Sequence, residues 1–397
     1  MLLTDDEREL LAGAAGHAAR KAMQILVALG RIFGADRLVA VRSVQIAGVS
    51  YHNLGEAGLE WLEEMARDGR VRTLATLNPA GMDLRAWKRH GVSASFAERQ
   101  LRLVAAYTTM GVAESCTCTP YLTGNLPAPG EHVAWAESSA VAYANSVLGA
   151  RTNREGGPSA LAAALTGKTP HYGLHLDENR IPTCEVVVAA ELRSSVDWGA
   201  LGYLVGKLGQ GRVAVLRDTP PAPIAHLKSF GAAVVTFGGS PLFAIEGVTP
   251  SLPSPARIEH RVLVTESMLA AALADLDEGA EHVDMVCLGC PHASLGELLE
   301  LAEMLDGQRV RSPLWICTAR ATAEAARQLG FVDRIEASGA QVVADTCYAV
   351  APLGRPGATI ATDSVKGCYY GRGHNRLKTH LGSVERCVQA ALTGRWE

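Results

Sequence analysis

Residues 284–305, DMVCLGCPHASLGELLELAEML, contain an apolar strand pattern, a short loop and a helical pattern in succession. The strand covers DMVCLG (284–289), and the helix covers SLGELLELAEML (294–305), where apolar residues recur at helical spacing. A strand that leads at once into a helix is typical of βαβ units. Because this alternation recurs through the second half of the chain, we predict an α/β fold with parallel sheets. Further strand candidates are VAVLR (213–217), AVVTF (233–237), HRVLVT (260–265), PLWICT (313–318) and QVVAD (341–345).

The first half of the chain is less regular, with helical stretches separated by glycine-rich loops. We predict an N-terminal α/β lobe over residues 1–210 and a C-terminal βαβ lobe over residues 211–397. The N-terminal lobe carries a cysteine loop, CTCTPYLTGN (116–125), and several polar loops. The C-terminal lobe carries further cysteines at the ends of predicted strands.

The composition of the 397 residues excludes several classes of protein. Hydrophobic residues make up 48%, charged residues 20%, and the formal net charge is −4. This balance indicates a soluble protein with a large core, and it lacks the excess of Lys and Arg that a nucleic-acid binder needs. The acidic N-terminus predicts a helix capped at Thr4 with Glu7 three residues later, rather than a signal peptide.

The chain contains nine cysteines, which could form disulfides, stay reduced or bind metal. No apolar run reaches the ~18 residues that a membrane span requires, so we expect a cytoplasmic protein without membrane association. Thiols in that compartment stay reduced or bind metal.

Three of the cysteines lie where predicted strands and helices open into loops. These are Cys118, Cys290 and Cys347, and ligand sites of α/β proteins collect at such loops. They form a candidate three-cysteine metal site. One alternative is that each is a small buried apolar residue, which is the usual role of a cysteine thiol. Another is a zinc site made by Cys287, Cys290 and His292.

Polar residues cluster in three loops of the first half. In ARTNREGGPSAL (150–161), two arginines beside a Gly-Gly turn suit a carboxylate or phosphate, while a structural ion-pair cluster with the neighbouring glutamate is the alternative. The candidate residues of these loops are Ser50, His52, Asn78, Arg151, Asn153, Arg154 and Glu155.

A fourth polar segment, DSVKGCYYGRG (363–373), follows the apolar stretch ATIAT. Lys366 near a strand end, beside Ser364, is a candidate proton donor or anion contact. An exposed lysine without a catalytic role is the alternative.

Several of these segments together resemble the aconitase X family. The resemblance begins with GVSYHNLGEAGLEWLEEMA (48–66) and TLNPAGMD (76–83), and continues through the long run from Cys116 to Arg180. It extends to GCPHASLGEL, VVADTC and TDSVK, in the expected order, so that it covers the chain from about residue 40 to the end.

The resemblance implies an aconitase-like fold of several lobes with a cluster site at their interface. It implies that Cys118, Cys290 and Cys347 hold an iron–sulfur cluster, either [4Fe-4S] or [2Fe-2S], with mononuclear iron as an alternative. The iron would act as a Lewis acid in a dehydration. Lys366, Ser50 and His52 are then the candidate catalytic residues. The candidate substrate-binding residues are Asn78, Arg151, Asn153, Arg154, Glu155 and Ser364.

The known activities of the family are dehydration of cis-3-hydroxy-L-proline and of 5-phosphomevalonate. We predict a hydro-lyase (dehydratase) that acts on a small hydroxy acid, with cis-3-hydroxy-L-proline preferred. The alternatives are the large subunit of a phosphomevalonate dehydratase and a non-catalytic metal-binding subunit.

Aconitase-like enzymes also carry a smaller swivelling domain that contributes a serine to the site. The sequence ends at GRWE, where the large part of such proteins stops, so we expect this domain on a separate small subunit in a heterodimer. The chain departs from the family after Lys366, because Gly367, Cys368, Tyr369 and Tyr370 replace the usual small residue, histidine and tyrosine.

Overall fold

The computed structural model describes residues 1–253, 257–278, 281–353 and 356–396. Internal contacts divide the chain into two units. Met1–Ile181 forms unit 1 together with Leu252 and Pro253, and the other described residues form unit 2. The division of the sequence at residue 210 stays a prediction about its lobes.

Unit 1 starts with the predicted capped helix. Thr4 Oγ1 accepts a hydrogen bond from the Glu7 N–H, and the Glu7 carboxylate accepts one from the Thr4 N–H, so the capping box is present. The elements of unit 1 are α1 (Asp5–Ala12), α2 (His17–Ile32), β1 (Leu38–Ala40), β2 (Ser43–Ile46), α3 (Tyr51–Ala66), β3 (Leu74–Leu77), α4 (Ala94–Thr109), β4 (Ala134–Trp135), α5 (Ser138–Ser146), α6 (Gly157–Thr166) and β5 (Lys168–Pro170).

A small parallel sheet organises unit 1. Its strand order is β3-β2-β4, while β1 and β5 form a separate antiparallel pair. Apolar residues of β2, β3 and the helices α2, α3, α4 and α6 form one core. Since β2 and β3 are parallel neighbours, the loops that follow them emerge at the same edge of the sheet.

Unit 2 alternates strands and helices, as the sequence predicts. Its elements are β6 (Cys184–Val188), α7 (Ser195–Gly209), β7 (Ala214–Arg217), α8 (Ile224–Gly238), β8 (Phe243–Ile245), β9 (His260–Val264), α9 (Glu266–Asp275), β10 (Met285–Ala293), α10 (Leu295–Met304), β11 (Leu314–Thr318), α11 (Arg320–Gln328), α12 (Phe331–Ala337), β12 (Gln341–Ala344), β13 (Thr359–Thr362), α13 (Val365–Asn375), β14 (Lys378–Leu381) and α14 (Val384–Thr393).

Two parallel sheets form the centre of unit 2. One has the order β8-β7-β6-β9, and the other has the order β12-β11-β10-β13-β14. All neighbouring strands in both sheets are parallel, which confirms the predicted α/β class. The strands predicted at residues 213–217, 260–265, 284–289, 313–318 and 341–345 correspond to β7, β9, β10, β11 and β12.

One strand prediction is wrong, because AVVTF (233–237) lies inside helix α8. A short segment that is almost entirely apolar carries no period that separates a buried helix from a buried strand. Here α8 packs closely on α7, and glycines make the approach possible. A Cβ on Gly202 would lie 2.5 Å from the Phe230 carbonyl oxygen, and one on Gly238 would lie 2.4 Å from the Gly206 carbonyl oxygen.

Among the described residues, the longest apolar helices fall short of what a membrane crossing requires.

Candidate active site

Two of the three predicted metal-ligating cysteines lie in the five-stranded sheet of unit 2. Cys290 is in the last part of β10, and Cys347 follows β12 by three residues. Cys347 is buried, and Cys290 is half-buried. Burial raises the pKa of the Cys347 thiol well above its usual value, and the nearby thiolate charge of Cys290 raises it further. Cys290 packs against the buried cluster that contains Cys347, so both thiols lie at the carboxyl edge of this sheet.

A local irregularity in β10 directs Cys290 toward this edge. Gly289 has a φ of 83°, and the pairing of β10 with β11 shifts register between Leu288 and Ala293. A Cβ at Gly289 would lie 2.1 Å from the Cys317 carbonyl oxygen, so no other residue fits there without displacing β11.

His292 lies in the same part of β10 and contacts the loop of Cys347. Its side chain is fully buried, and its Nε2 lies 3.0 Å from the carbonyl oxygen of Thr346. Cys287 is also fully buried, and burial strongly raises the pKa of its thiol. Over the parts of the chain that the structure describes, no three His, Cys, Asp or Glu side chains are placed to hold a metal ion. The Cys287, Cys290 and His292 alternative, like the three-cysteine site, therefore stays a prediction.

Helix α13 brings Lys366 to the same region. Ser364 caps this helix, and its Oγ accepts a hydrogen bond of 2.8 Å from the Gly367 N–H. Lys366 is buried, and its Nζ lies 5.8 Å from the centre of the Tyr370 ring. Among the influences on the pKa of Cys347, burial is the largest and raises it, while the positive charge of Lys366 lowers it. Tyr370 packs against the buried cluster that contains Cys347, so Lys366 lies near that cluster. Its burial shows that the exposed-lysine alternative is wrong.

Asp363 is a polar residue of this region that sequence reasoning did not single out. Its Oδ1 is buried and has no hydrogen-bond partner among the described residues. Burial, together with the negative charge of Glu297, raises the pKa of Asp363 to about 7, while the charge of Lys228 opposes the shift. The sequence could have indicated Asp363 as a site residue, because it lies between the end of β13 and the residue that caps α13.

In unit 1, Ser50 and Asn78 follow the neighbouring strands β2 and β3. Ser50 precedes α3, and Asn78 is the first residue after β3. Ser50 Oγ and Asn78 Oδ1 are buried, and neither has a hydrogen-bond partner within the described ranges. Unpartnered buried polar atoms are rare in folded proteins, so both atoms are candidates for contact with a ligand. His52 is exposed at the start of α3.

Gln100 of α4 holds these two loops together and was missed in the sequence. Its Oε1 accepts hydrogen bonds from the Tyr51 N–H at 3.0 Å and the Gly81 N–H at 3.1 Å, and its Nε2 donates to the Val49 carbonyl at 2.7 Å. A Cβ at Gly81 would lie 2.7 Å from Ser50 Oγ, so a larger residue there would displace this side chain. The helical pattern of α4 alone gave no sign of this role.

The loop of Cys118 is anchored to β2 of the same sheet. Gln45 Nε2 donates a hydrogen bond of 2.9 Å to the Thr117 carbonyl, and the Thr117 N–H donates to the Leu77 carbonyl at 2.9 Å. Cys118 itself is buried. The loop is thus fixed at the edge where β2 and β3 end.

Arg151 and Asn153 make contacts with the segment that follows β5. Arg151 forms an ion pair with Asp177 and donates a hydrogen bond of 3.0 Å to the His175 carbonyl. Asn153 donates to the Tyr172 carbonyl at 3.0 Å and accepts from the Leu174 N–H at 2.8 Å. These contacts favour a structural task for both side chains, as the ion-pair alternative suggested, although Asp177 is the partner.

Glu155 and Arg154 have opposite surroundings. Glu155 is buried, and its carboxylate accepts hydrogen bonds from Ser159 Oγ at 2.5 Å and Thr169 Oγ1 at 3.0 Å. Burial raises the pKa of Glu155, while those two hydrogen bonds lower it. Arg154 is exposed. Of the four residues predicted in this loop, Arg154 is the one whose charged group lies open to solvent.

The donor chemistry at the edge of unit 2 fits an iron–sulfur cluster. Thiols are the ligands that soft metal centres such as Fe–S clusters prefer. Cys290 in β10 and Cys347, three residues after β12, supply two thiols from the edge of one sheet. The third predicted thiol, Cys118, belongs to unit 1.

Comparison with solved structures defines the class of fold. The chain is similar to the structure described as "Thermococcus kodakaraensis aconitase X (holo-form)", with a TM-score of 0.91 and 42% sequence identity. The match covers 98% of this chain and 100% of that chain. The fold is therefore that of the aconitase-like α/β proteins, as predicted.

Three family models match successive parts of the sequence. They describe the first domain of aconitase X over residues 1–178, its second domain over residues 182–274 and its third domain over residues 283–393. The chain belongs to the aconitase X family.

The curated relatives include two kinds of dehydratase. The chain is 48% identical to the "Phosphomevalonate dehydratase large subunit" of Methanothermobacter thermautotrophicus, over 92% of each chain. It is 39% identical to the "Cis-3-hydroxy-L-proline dehydratase" of Pseudomonas aeruginosa, over 98% of this chain and 70% of that protein. The prediction of a hydro-lyase of this family is confirmed. The preference for cis-3-hydroxy-L-proline is corrected, because the similarity favours the phosphomevalonate alternative.

Proposed function

We propose that this chain is the large subunit of a phosphomevalonate dehydratase. The observation that carries the proposal is the similarity to the Methanothermobacter large subunit, which is higher than that to the Pseudomonas hydroxyproline enzyme and spans 92% of both chains. A cis-3-hydroxy-L-proline dehydratase is the second candidate, supported by 39% identity to that enzyme.

We propose Cys290, Cys347 and Cys118 as the ligands of an iron–sulfur cluster. The packing of Cys290 against the buried cluster that contains Cys347 supports the assignment. The cluster would supply a Lewis acid that draws electrons from the C–O bond of the substrate. Thiol ligands require a reducing compartment, which supports a cytoplasmic location.

The residues of α13 are proposed to act on the substrate beside the thiols. The ammonium group of Lys366 is buried near Cys347, where it attracts an anionic substrate group and holds a proton for transfer. Ser364 holds the first turn of α13 in place through its cap hydrogen bond, so that it positions Lys366.

The residues of unit 1 are proposed to bind polar groups of the substrate. Ser50 Oγ and Asn78 Oδ1 are buried without protein partners, so a substrate hydroxyl or carboxyl group can satisfy them. Arg154 is exposed and carries the fork of donors that matches a phosphate. His52, exposed at the start of α3, is proposed as a contributor to proton transfer. Arg151, Asn153 and Glu155 would shape the loop that presents Arg154.

The partner is proposed to be a separate small subunit. The name "large subunit" of the Methanothermobacter relative supports this, because it implies a second chain in that enzyme. The family resemblance assigns to this partner the swivelling domain that completes the site.

The decisive experiment combines anaerobic reconstitution with the small subunit. The chain is loaded with iron and sulfide, its iron and sulfide are counted, and phosphomevalonate dehydration is measured with and without the partner. We expect iron on the chain and activity only with both subunits present. Iron binding without dehydration of either candidate substrate would indicate the non-catalytic metal-binding subunit, and the absence of iron would refute the cluster.

A further inference from the structure

A buried lysine lies behind the loop that carries Cys290. Lys228 of α8 has a side chain that is 2% exposed, and its Nζ donates hydrogen bonds to Glu297 Oε2 at 2.6 Å and to the His292 carbonyl at 2.9 Å. Lysine is almost never buried unless it is paired. The two hydrogen bonds of the Lys228 ammonium group therefore stabilise either the fold or the site.

Glu297 is a fixed partner for this lysine. It belongs to the capping box of α10, where its carboxylate accepts hydrogen bonds from the Ser294 N–H and Oγ at 2.8 and 2.6 Å. Burial raises the pKa of Glu297, but the charge and hydrogen bond of Lys228 and the Ser294 bonds outweigh it, so the pKa is lowered overall. The carboxylate is ionised at neutral pH, and Lys228 joins the start of α10 to the carbonyl of His292.

His292 connects the loops of the two cysteines. Thr346 offers only its carbonyl oxygen in this contact, so His292 Nε2 carries the proton and donates across 3.0 Å. His292 is two residues after Cys290, and Thr346 immediately precedes Cys347. The strands β10 and β12 are not neighbours, because β11 lies between them. The sheet's own hydrogen bonds therefore do not join these loops directly, whereas the histidine does.

We propose that Lys228 and His292 are positioning residues that hold Cys290 and Cys347 at ligand geometry before any metal binds. The proposal rests on the proposed function, in which these thiols are cluster ligands. Lys228 holds the backbone carbonyl of His292, and the imidazole of His292 holds the carbonyl of Thr346, the residue before Cys347. Hydrogen bonds of this kind around metal ligands commonly change metal affinity by about 10- to 100-fold when they are removed.

The experiment compares His292→Leu, which removes the donor, with His292→Gln, which retains an N–H donor near the same place. Iron retention is followed on the reconstituted chain during incubation with a chelator. In parallel, the metal-free chain is alkylated with iodoacetamide, and the labelling rates of Cys290 and Cys347 are read by peptide mass spectrometry. Thermal unfolding of each variant reports its global stability.

We expect His292→Leu to lose iron about 10-fold faster than the wild type and to expose both cysteines to faster alkylation. His292→Gln should remain within about threefold of the wild type in both measurements. Equal behaviour of His292→Leu and the wild type, or equal impairment of the leucine and glutamine variants, would overturn the proposal. A wild-type chain that holds no iron would refute the proposed cluster, while the alkylation rates would still decide the positioning role.

The lysine is tested by Lys228→Met and by the double variant Lys228→Met/Glu297→Gln. The double variant leaves no unpaired buried charge, so it folds even if the single variant does not. The matched control is Lys168→Met in unit 1, which breaks the ion pair with the buried Glu7. We expect faster alkylation of Cys290 in the two Lys228 variants and no change in the control. An unchanged rate in the double variant would contradict the role of Lys228.

Discussion

Replacing Asp363 by asparagine is expected to stabilise the chain at alkaline pH. The pKa of this carboxyl is raised from 3.8 to about 7, first by burial and then by the charge of Glu297. A raised pKa means that the folded state holds a proton that the unfolded state releases, so stability falls as the pH rises from about 4 to about 7. The full shift corresponds to about 4 kcal/mol at pH 8. Because the side chain keeps some exposure, water screens part of this cost, and we expect about 2 kcal/mol.

The assay is urea denaturation of the wild type and Asp363→Asn at pH 5 and pH 8. At pH 8 the variant should be the more stable protein, and the difference should shrink at pH 5, where the wild-type carboxyl is protonated in the folded state. Asp275→Asn is a control that should have the opposite effect on stability and be the less stable protein at pH 8. The reason is that a hydrogen bond from Tyr203 lowers the pKa of Asp275. A variant that is less stable than the wild type at pH 8, or a difference that does not depend on pH, would refute this reasoning.

Three further changes test the candidate site. Cys347→Ser should lower the iron content after reconstitution, whereas Cys387→Ser, in the core of α14, should not; equal iron in both chains would remove Cys347 from the ligand set. Gln100→Met deletes three hydrogen bonds, two of them buried, and should lower the free energy of unfolding by about 2–3 kcal/mol in urea denaturation, and a loss below about 0.5 kcal/mol would contradict its bridging role. Lys366→Ala should reduce kcat by about 10²- to 10⁴-fold, while the exposed control Lys378→Ala should keep full activity; full turnover of Lys366→Ala would exclude Lys366 from the chemistry.

The regular part of the fold was predictable because each strand and helix has its own local pattern. The strand and helix of residues 284–305 correspond to β10 and α10, and the cap of α1 forms as its sequence predicts. Helix α8 was not predictable over residues 233–237, because a run of five residues with four apolar side chains shows no helical periodicity. Its close packing on α7 through glycines is a tertiary effect that no local window contains.

The residue types of the candidate site could be predicted from the sequence, but the residues that hold its loops in place could not. Cysteines and polar residues at strand ends could be found from the sequence, since parallel strands gather their loops at one edge. The partners of those residues could not, because Lys228 and Gln100 lie far along the chain from the loops that they hold. The sequence also did not show the partner of Arg151. Only the fold shows that its guanidinium group forms an ion pair with Asp177.

The most direct test of the proposed function is the substrate specificity of the chain after reconstitution with the proposed small subunit. The value of kcat/KM is determined under anaerobic conditions for phosphomevalonate and for cis-3-hydroxy-L-proline with the same preparation. A site built to pair a phosphate discriminates strongly against a substrate that lacks one, so we predict a ratio of at least about 100 in favour of phosphomevalonate. A ratio that favours cis-3-hydroxy-L-proline would contradict the proposed function.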